Sequence, residues 1–226
     1  MSHSVDIFLA VLPALFSGFI ETLKLALAGI VWGSVLGVGL GTLRGQYVRI
    51  ATPIIGGYLH ILRGTPFLVQ LYIIYFVLPN TGWPLLQFDS WTAATIGLGI
   101  YTSSYVTEIV SGAIRAIPRG QWEAAFALGF TRLKTLRLII LPQSIGLMLP
   151  SLGGVYVTLI KATSIVSVVG IAELMRQAEI QIVRFPGDIL FIYAIAGALY
   201  FVFCFPVLIL VGKLEKRATR GLQVRV

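Results

Sequence analysis

Two ionisable side chains lie inside long apolar segments, where a bound solute or an ion pair could stabilise them. Lys161 is near the end of the segment at 145–166, and Glu108 is within the segment at 91–114. At the depth of a bilayer, a charged side chain costs about 2.5–3.5 kcal/mol on insertion scales, so it normally faces a cavity or a partner. We therefore predict that both residues line a solute pathway. The alternatives are a Lys161–Glu108 ion pair, or a lysine that extends to the membrane surface.

Hydroxyl groups gather in the same two segments. Ser103 and Ser104 lie in the middle of the first, and Thr163 and Ser164 come shortly after the lysine of the second. A hydroxyl can bind a zwitterionic solute, or it can satisfy a neighbouring backbone group. We place all four residues on the predicted pathway, with the backbone role as the alternative.

A break in a helix is expected where Arg63 and Thr65 flank Gly64 and Pro66 follows. Proline lacks the N–H group and glycine tolerates unusual backbone conformations, so the pair favours an interruption. Broken helices expose backbone groups and are often found at transport sites. We therefore add Arg63 and Thr65 to the pathway, although Arg63 could equally anchor the cytoplasmic interface.

A polar, arginine-rich insert at 115–142 separates two of the apolar segments. Within it, Pro118 suits the first turn of a helix. The residues at 121–128 are amphipathic, and Gly129 can end their helix by adopting a left-handed conformation. The first half of the insert is therefore predicted to be a short surface helix.

The second half of the insert is predicted to form another short helix at 131–138, capped by Thr131. Pro142 then begins the next long helix. The result is a bent pair of helices. Ala124 and Ala125 leave small surfaces on the first of them, which suits docking into a groove of another protein.

The sequence offers no evident catalytic machinery. It contains no G-x-x-x-x-G-K-[ST] phosphate loop, and its only Gly-Lys pair, at 212–213, is followed by Leu214. Cys204 is the single cysteine, so no intrachain disulfide can form, and no Cys/His spacing suggests a metal site. ATP hydrolysis by this chain is not expected.

The composition is that of an integral membrane protein. Of the 226 residues, 57% are hydrophobic and only 12% are charged. Each apolar segment is near the roughly 20 residues that span a bilayer. We predict an all-α protein with one transmembrane domain over 1–226 and an interfacial lead-in helix at 7–20. Its five spanning helices have their cores at 25–41, 67–78, 91–114, 145–166 and 189–211.

The basic residues predict the orientation. Twelve of the 17 lie in the first connection, the insert and the C-terminal tail, whereas the loop at 79–90 has none and the loop at 166–188 has two. Cytoplasmic loops collect Lys and Arg. We therefore expect the N-terminus outside and the C-terminus and insert inside. This charge distribution argues against nucleic acid as a partner. Because no basic residue precedes Lys24, we expect no cleaved signal peptide.

Three glycines, Gly33, Gly37 and Gly41, are spaced four apart in the first segment. Small residues at this spacing allow two helix backbones to approach closely. We predict that the glycine face packs within one subunit, and the alternative is a seam between two subunits.

The insert carries a motif of known spacing. Glu123-Ala124-Ala125 is followed after three residues by Gly129, and after nine more by Ile139-x-Leu141-Pro142. This pattern resembles the coupling loop of ABC-importer permeases. Other stretches are similar to polar amino-acid permeases of the histidine/glutamine/arginine type. They are Arg63–Leu71, Glu108-Ile109-Val110, Lys161-Ala162-Thr163-Ser164, Ser167–Gly170 and Glu173-Leu174.

The resemblance implies a type I ABC importer permease fold and a place in the bacterial cytoplasmic (inner) membrane. It also implies that Glu123, Ala124, Ala125, Gly129 and Pro142 couple the chain to a cytoplasmic ABC ATPase dimer. A second permease subunit, the same or homologous, would complete the pore, and an extracytoplasmic solute-binding protein would deliver the solute. This chain would bind no cofactor itself, since ATP and Mg²⁺ would be held by the ATPase.

The sequence departs from its relatives at two positions. Relatives that carry basic amino acids tend to have acids where this chain has Val155 and Ala162. The resemblance therefore implies that the solute is not cationic, or that this subunit is the substrate-free half of a heteromeric pair. A related solute, such as an opine, ectoine or dipeptide-like compound, is an alternative to a polar amino acid.

Two other classes of protein fit less well. An ion-coupled carrier that works alone would not explain the insert. A membrane enzyme would need paired acids, a metal cluster or an activated nucleophile, and none is evident in the sequence.

Overall fold

The computed structural model describes the backbone of residues 2–223, and within that range it is helical with no strand. Arg225 of the basic tail lies outside the described residues. The long helices are α1 (Ser2–Gly45), α2 (Ala51–Gly64), α4 (Ser90–Ala116), α7 (Leu141–Ala162) and α9 (Ile189–Gln223). The shorter ones are α3 (Phe67–Tyr72), α5 (Arg119–Ala127), α6 (Arg132–Thr135) and α8 (Leu174–Arg184).

Helix α1 is continuous, so the prediction of a separate lead-in helix at 7–20 is wrong. Ile7, Val11 and Leu15 recur every four residues and are buried against α8 and α9. This buried stripe continues the packing surface of the rest of α1. Pro13 lies inside the helix. It removes one backbone hydrogen bond, but no turn-forming residues directly follow it, and the helix continues.

A seam of five glycines joins α1 to α4. A Cβ atom added to Gly33, Gly37 or Gly41 would lie 2.5–2.6 Å from the Cβ of Thr102, Val106 or Val110, respectively. Gly29 and Gly45 extend the same register toward Leu98 and Ile114. Both series advance by four residues in the same chain direction, so the two helices run parallel in close contact. The prediction that the glycine face packs within one subunit is confirmed.

The predicted break after α2 is confirmed. Thr65 is extended, with φ −121° and ψ 144°, and the α2 and α3 segments meet at a bend of 105°. The backbone groups at the break are less exposed than expected, because Gln70 Nε2 donates to the carbonyls of Leu62 (2.7 Å) and Thr65 (3.1 Å). The Thr65 hydroxyl donates to the carbonyl of Ile61 at 2.8 Å.

Among the described residues, three helical stretches are long and apolar enough to cross a membrane: His3–Gly45, Arg132–Val169 and Pro186–Lys216. The bent α2–α3 pair adds a fourth if it counts as one span. Helix α4 is absent from this set although it packs against α1, α2, α3 and α7. Its middle is rich in hydroxyl groups that are buried against other helices, so its composition is less apolar than that of a lipid-facing span.

The insert forms the predicted bent pair. Helix α5 is followed by Gly129 at φ +78°, and Thr131 caps α6 by accepting from the backbone N–H of Lys134. The second helix differs from the prediction because it does not end before Pro142. A wide helical turn, Leu136–Ile140, joins α6 directly to α7, in which Pro142 is the second residue.

Candidate functional site

A cavity of about 290 Å³ lies between α4 and α7, and we call it the α4–α7 cavity. None of the described residues that line it carries a charged side chain. Thr102 lines it, and the Oγ1 atom of this residue is buried without a hydrogen-bond partner in the described structure. Its lining consists of hydroxyl-bearing and small or apolar residues: Tyr101, Thr102, Tyr105, Ser151, Gly154, Val155, Thr158 and Leu159.

Of the predicted pathway residues, only Val155 lines this cavity. Ser103 and Ser104 are on α4 but are fully buried. The Ser103 hydroxyl donates to the carbonyl of Ile100 at 2.7 Å, and the Ser104 hydroxyl donates to that of Tyr101 at 2.7 Å. Both hydroxyls therefore satisfy backbone carbonyls, which was the alternative to solute binding. Their contact with solute stays a prediction, and their burial does not support it.

Lys161 and Val155 face different sides of α7, because residues six positions apart on an α-helix do not share a face. Lys161 lines another cavity, of about 250 Å³, together with residues of α9 such as Gly197 and Cys204. Ala162, Thr163 and Ser164 line neither of these two cavities. Both hydroxyls donate to backbone carbonyls three residues earlier, at 2.7 Å for Thr163 and 2.8 Å for Ser164.

Glu108 joins two arginines, so the alternative of a Lys161–Glu108 ion pair is wrong. Its Oε2 atom accepts from Nη1 of Arg44 at 2.6 Å and lies 3.4 Å from Nη1 of Arg63. The three charged side chains border a cavity of about 370 Å³ between α1, α2 and α4, which we call the charged cavity. Its remaining walls are Leu59, His60 and Gly64.

Arg63 connects the two cavities. Its guanidinium carbon lies 5.5 Å from the centre of the Tyr105 ring, a cation–π arrangement. The Tyr105 ring in turn lies 5.1 Å from that of Tyr101. Arg63 is thus placed between the α4–α7 cavity and the charged cavity, where its movement would alter both.

The insert is attached to the end of α1. Arg115 donates to the carbonyl of Arg44 at 3.0 Å and its guanidinium stacks 4.7 Å from the centre of the Tyr47 ring, while Arg132 donates to the carbonyl of Gln46. These contacts hold the short connection between α1 and α2. The insert, α1 and, through Arg44, Glu108 are thus joined by direct contacts.

The outer surface of the insert exposes apolar side chains. Leu128 is 76% exposed, and Phe126 and Leu133 are about half exposed. Glu123 and Ala124 are exposed beside them, whereas Ala125 is buried. Apolar side chains grouped on a polar element are typical of a surface that a partner protein covers.

The family is established by comparison with known proteins. Residues 33–220 match the model of the binding-protein-dependent transport system inner membrane component. This chain belongs to that family. It is therefore a permease subunit embedded in the inner membrane and is not an enzyme. Members of the family work with an ATPase and a solute-binding protein.

Two curated relatives are similar over nearly their whole lengths. The L-cystine transport system permease of Bacillus subtilis (strain 168) is 34% identical over 208 residues, which is 92% of this chain and 88% of the relative. The glutamine transport system permease of Escherichia coli (strain K12) is 34% identical over 206 residues, which is 91% of this chain and 93% of that relative.

Solved structures show the same permease fold. A crystal structure of an amino acid ABC transporter with histidines superposes with a TM-score of 0.82 at 34% identity and covers 93% of this chain and 96% of its own. An inward-facing MetNI methionine ABC transporter superposes with a TM-score of 0.68 at 21% identity, and the match covers 89% of this chain and 96% of that one. The predicted importer permease class is thus confirmed.

Glu173, which belongs to one of the stretches that resemble amino-acid permeases, is a buried carboxylate. It is fully buried and caps α8, accepting from the backbone N–H groups of Met175 (3.0 Å) and Arg176 (2.8 Å). The hydroxyls of Thr22 in α1 (3.4 Å) and Tyr200 in α9 (3.2 Å) also donate to it. Burial raises its pKa, although these hydrogen bonds act in the opposite direction. An acid directly before an amphipathic stretch was the signal that could have identified it.

We expect Glu173→Ala to destabilise the permease by about 1–3 kcal/mol, because four donors from three helices lose their acceptor. Glu179→Ala is the matched control, since Glu179 is a partly exposed acid of the same helix whose ion pair with Arg176 is worth little. Thermal unfolding of the purified chains in detergent provides the comparison. Equal midpoints for the two variants would contradict the structural role of Glu173.

Proposed function

We propose that this permease forms half of a pore for neutral or acidic amino acids, and that the solute passes through the α4–α7 cavity. The observation that carries this proposal is the lining of that cavity, whose described residues include hydroxyl groups and no charged group. Hydroxyls can bind either end of a polar solute. The two curated relatives are permeases for glutamine and L-cystine, which supports an amino-acid solute.

The proposed assembly contains two permease subunits, two ATPase subunits and one solute-binding protein. ATP and Mg²⁺ belong to the ATPase, and this chain holds neither. The exposed surface of the insert, with Glu123, Ala124, Gly129 and Pro142 on or beside it, is the proposed contact with the ATPase. Ala125 is buried within the chain, so it lies on the opposite face of α5 from this proposed contact.

The proposed topology has five spans, with α4 as the third and the α2–α3 pair as the second. The N-terminus is outside and the insert inside, as the distribution of basic residues predicts. The hydroxyl groups of α4 are compatible with a membrane-spanning helix, because they are buried against neighbouring helices and need not face lipid.

Cysteine labelling tests the orientation. In a Cys204→Ala background, Asp89→Cys is expected to react with an impermeant thiol reagent added outside intact cells. Lys216→Cys is expected to react only after the membrane is opened. Both positions are exposed, so accessibility within the chain does not limit either reaction. The reverse pattern would overturn the topology.

Charge selectivity tests the function itself. Val155 leaves an apolar wall where an arginine side chain would need a counter-charge, and an unpaired buried cation costs several kcal/mol. We expect liposomes that contain the complete transporter to take up labelled glutamine or glutamate in preference to arginine and lysine. The liposomes contain the ATPase, the binding protein and this permease as the only permease subunit. Saturable and preferred arginine uptake by that complex would contradict the proposal.

A further inference from the structure

The charged cavity is chemically unlike the α4–α7 cavity. Arg44, His60 and Arg63 contribute basic groups to its walls, and Glu108 is its acid. Its volume of about 370 Å³ is near the lower end of the range for small-molecule sites. Arg44 is one residue from the end of α1, where Arg115 binds its backbone carbonyl. The cavity therefore borders the insert end of the helix bundle.

The charged groups in this cavity are not saturated by one another. Both arginines contact the same Oε2 atom of Glu108, and within the described residues no hydrogen bond is donated to its Oε1 atom. The side chains of Arg63 and Glu108 are 44% and 42% exposed. His60 is exposed and makes no hydrogen bond or ion pair within the described residues, and the Nε atom of Arg44 is buried without a partner. Hydrogen-bond donors and one acceptor therefore remain available in the same small cavity.

An α-amino acid presents the complementary pair of charges. Its ammonium group can donate to the free Oε1 atom of Glu108, and its carboxylate can accept from Arg63 and His60. A simple anion would pair only with the basic groups of the cavity. A zwitterion pairs with the basic groups and with the acid, and it adds no net charge to a site in which the two are in contact.

We propose that the charged cavity is a second amino-acid site, at the cytoplasmic end of the pathway, through which imported solute slows further import. This inference rests on the proposed function and orientation. A zwitterion bound there contacts α1, α2 and α4 at once and so stabilises the present arrangement over those that the transport cycle must visit. It also holds Arg63, whose guanidinium lies against the wall of the α4–α7 cavity. Solute accumulated inside is thereby sensed by the permease itself.

The experiment uses liposomes with the complete transporter, the binding protein outside and ATP inside, so that only molecules with the ATPase inside can import. The lumen is loaded with unlabelled L-glutamine, N-acetyl-L-glutamine, which lacks the ammonium group, or L-glutamine amide, which lacks the carboxylate. The initial rate of uptake is then measured with labelled glutamine or glutamate, whichever the transporter prefers in the charge-selectivity test. We expect internal glutamine to slow uptake, and each analogue to need about a tenfold higher concentration, because each lacks one charged hydrogen-bonding group.

Two variants locate the effect. Glu108→Gln is expected to remove the difference between glutamine and its N-acetyl derivative, because the partner of the ammonium group is lost. His60→Asn is expected to raise the half-inhibitory concentration of internal glutamine, and His3→Asn, the same substitution at the distant and exposed other histidine, is expected to leave it unchanged. If Glu108→Gln fails to fold, the analogue series on the unaltered protein and the two histidine variants still decide the question.

The outcomes separate this inference from the proposed function. Absence of uptake into liposomes that contain ATP but no unlabelled amino acid would count against the proposed function. Uptake that is normal but indifferent to internal glutamine would overturn the second site alone. Equal inhibition by glutamine and N-acetyl-glutamine would also overturn it, since that result indicates a site for simple carboxylates. Inhibition that needs both charged groups and responds to His60→Asn would support it.

Discussion

Gly37→Leu is expected to destabilise the folded permease strongly and to lower its yield. A Cβ atom at this position would lie 2.6 Å from the Cβ of Val106 and 2.9 Å from the backbone carbonyl oxygen of Ser103. Neither atom is the end of a flexible side chain, so α1 would have to move away from α4. Overpacking of a core typically costs about 1–3 kcal/mol, and leucine in a continuous glycine seam is expected at or above the upper end.

Gly39→Leu is the matched control, because Gly39 belongs to the same helix and a Cβ atom added there would meet no other atom within 4 Å. Its stability is expected to stay within about 0.5 kcal/mol of the unaltered chain. The measurement is the yield of monodisperse protein and its thermal unfolding midpoint in detergent. Similar yields and midpoints for the two variants would show that the α1–α4 seam is not a close contact.

The second large effect is expected in the insert, where Gly129→Pro should abolish transport while leaving membrane insertion intact. Gly129 has φ +78°, and its N–H group donates to the carbonyl of Phe126 at 2.9 Å. Proline cannot adopt that angle and has no N–H group, so the turn between α5 and α6 would be rebuilt. Gly120→Ala, in the first turn of α5 with open space around it, is the control. Transport by Gly129→Pro near the unaltered rate would contradict the coupling role of the bend.

Glu123→Lys tests the same surface through its charge. Glu123 is exposed on α5, so the substitution should leave the fold of the chain unchanged. We expect ATP hydrolysis by the complex to lose its response to the loaded binding protein, or the ATPase to dissociate. Glu179→Lys makes the same change of charge on α8, at a distance from the insert, and should preserve the response. The coupling assignment would be wrong if both variants behaved alike.

Local chemistry in the sequence predicts much of the fold. Gly64 and Pro66 predict the break after α2, Gly129 predicts the turn of the insert, and the spacing of Gly33 and Gly37 predicts a close helix contact. Each of these signals is a backbone constraint that acts within a few residues. The continuity of α1 was missed because it depends on tertiary packing of Ile7 and its neighbours against α8 and α9.

The candidate site was harder to predict because residue type does not fix which way a side chain faces. Ser103 and Thr102 are adjacent hydroxyls of α4, yet only Thr102 lines the α4–α7 cavity. Lys161, predicted from its charge within the membrane, and Val155, predicted from the resemblance, belong to one helix that presents them to different cavities. The partners of Glu108 could not be predicted from spacing either, since Arg44 and Arg63 come from two other helices.

The most direct test of the central claim is ATP-dependent uptake in liposomes by this permease with its ATPase and binding protein. We predict uptake of a neutral or acidic amino acid that requires ATP inside and the binding protein outside, and that stops when either is omitted. Uptake by this chain alone, driven by an ion gradient without the ATPase, would contradict the account.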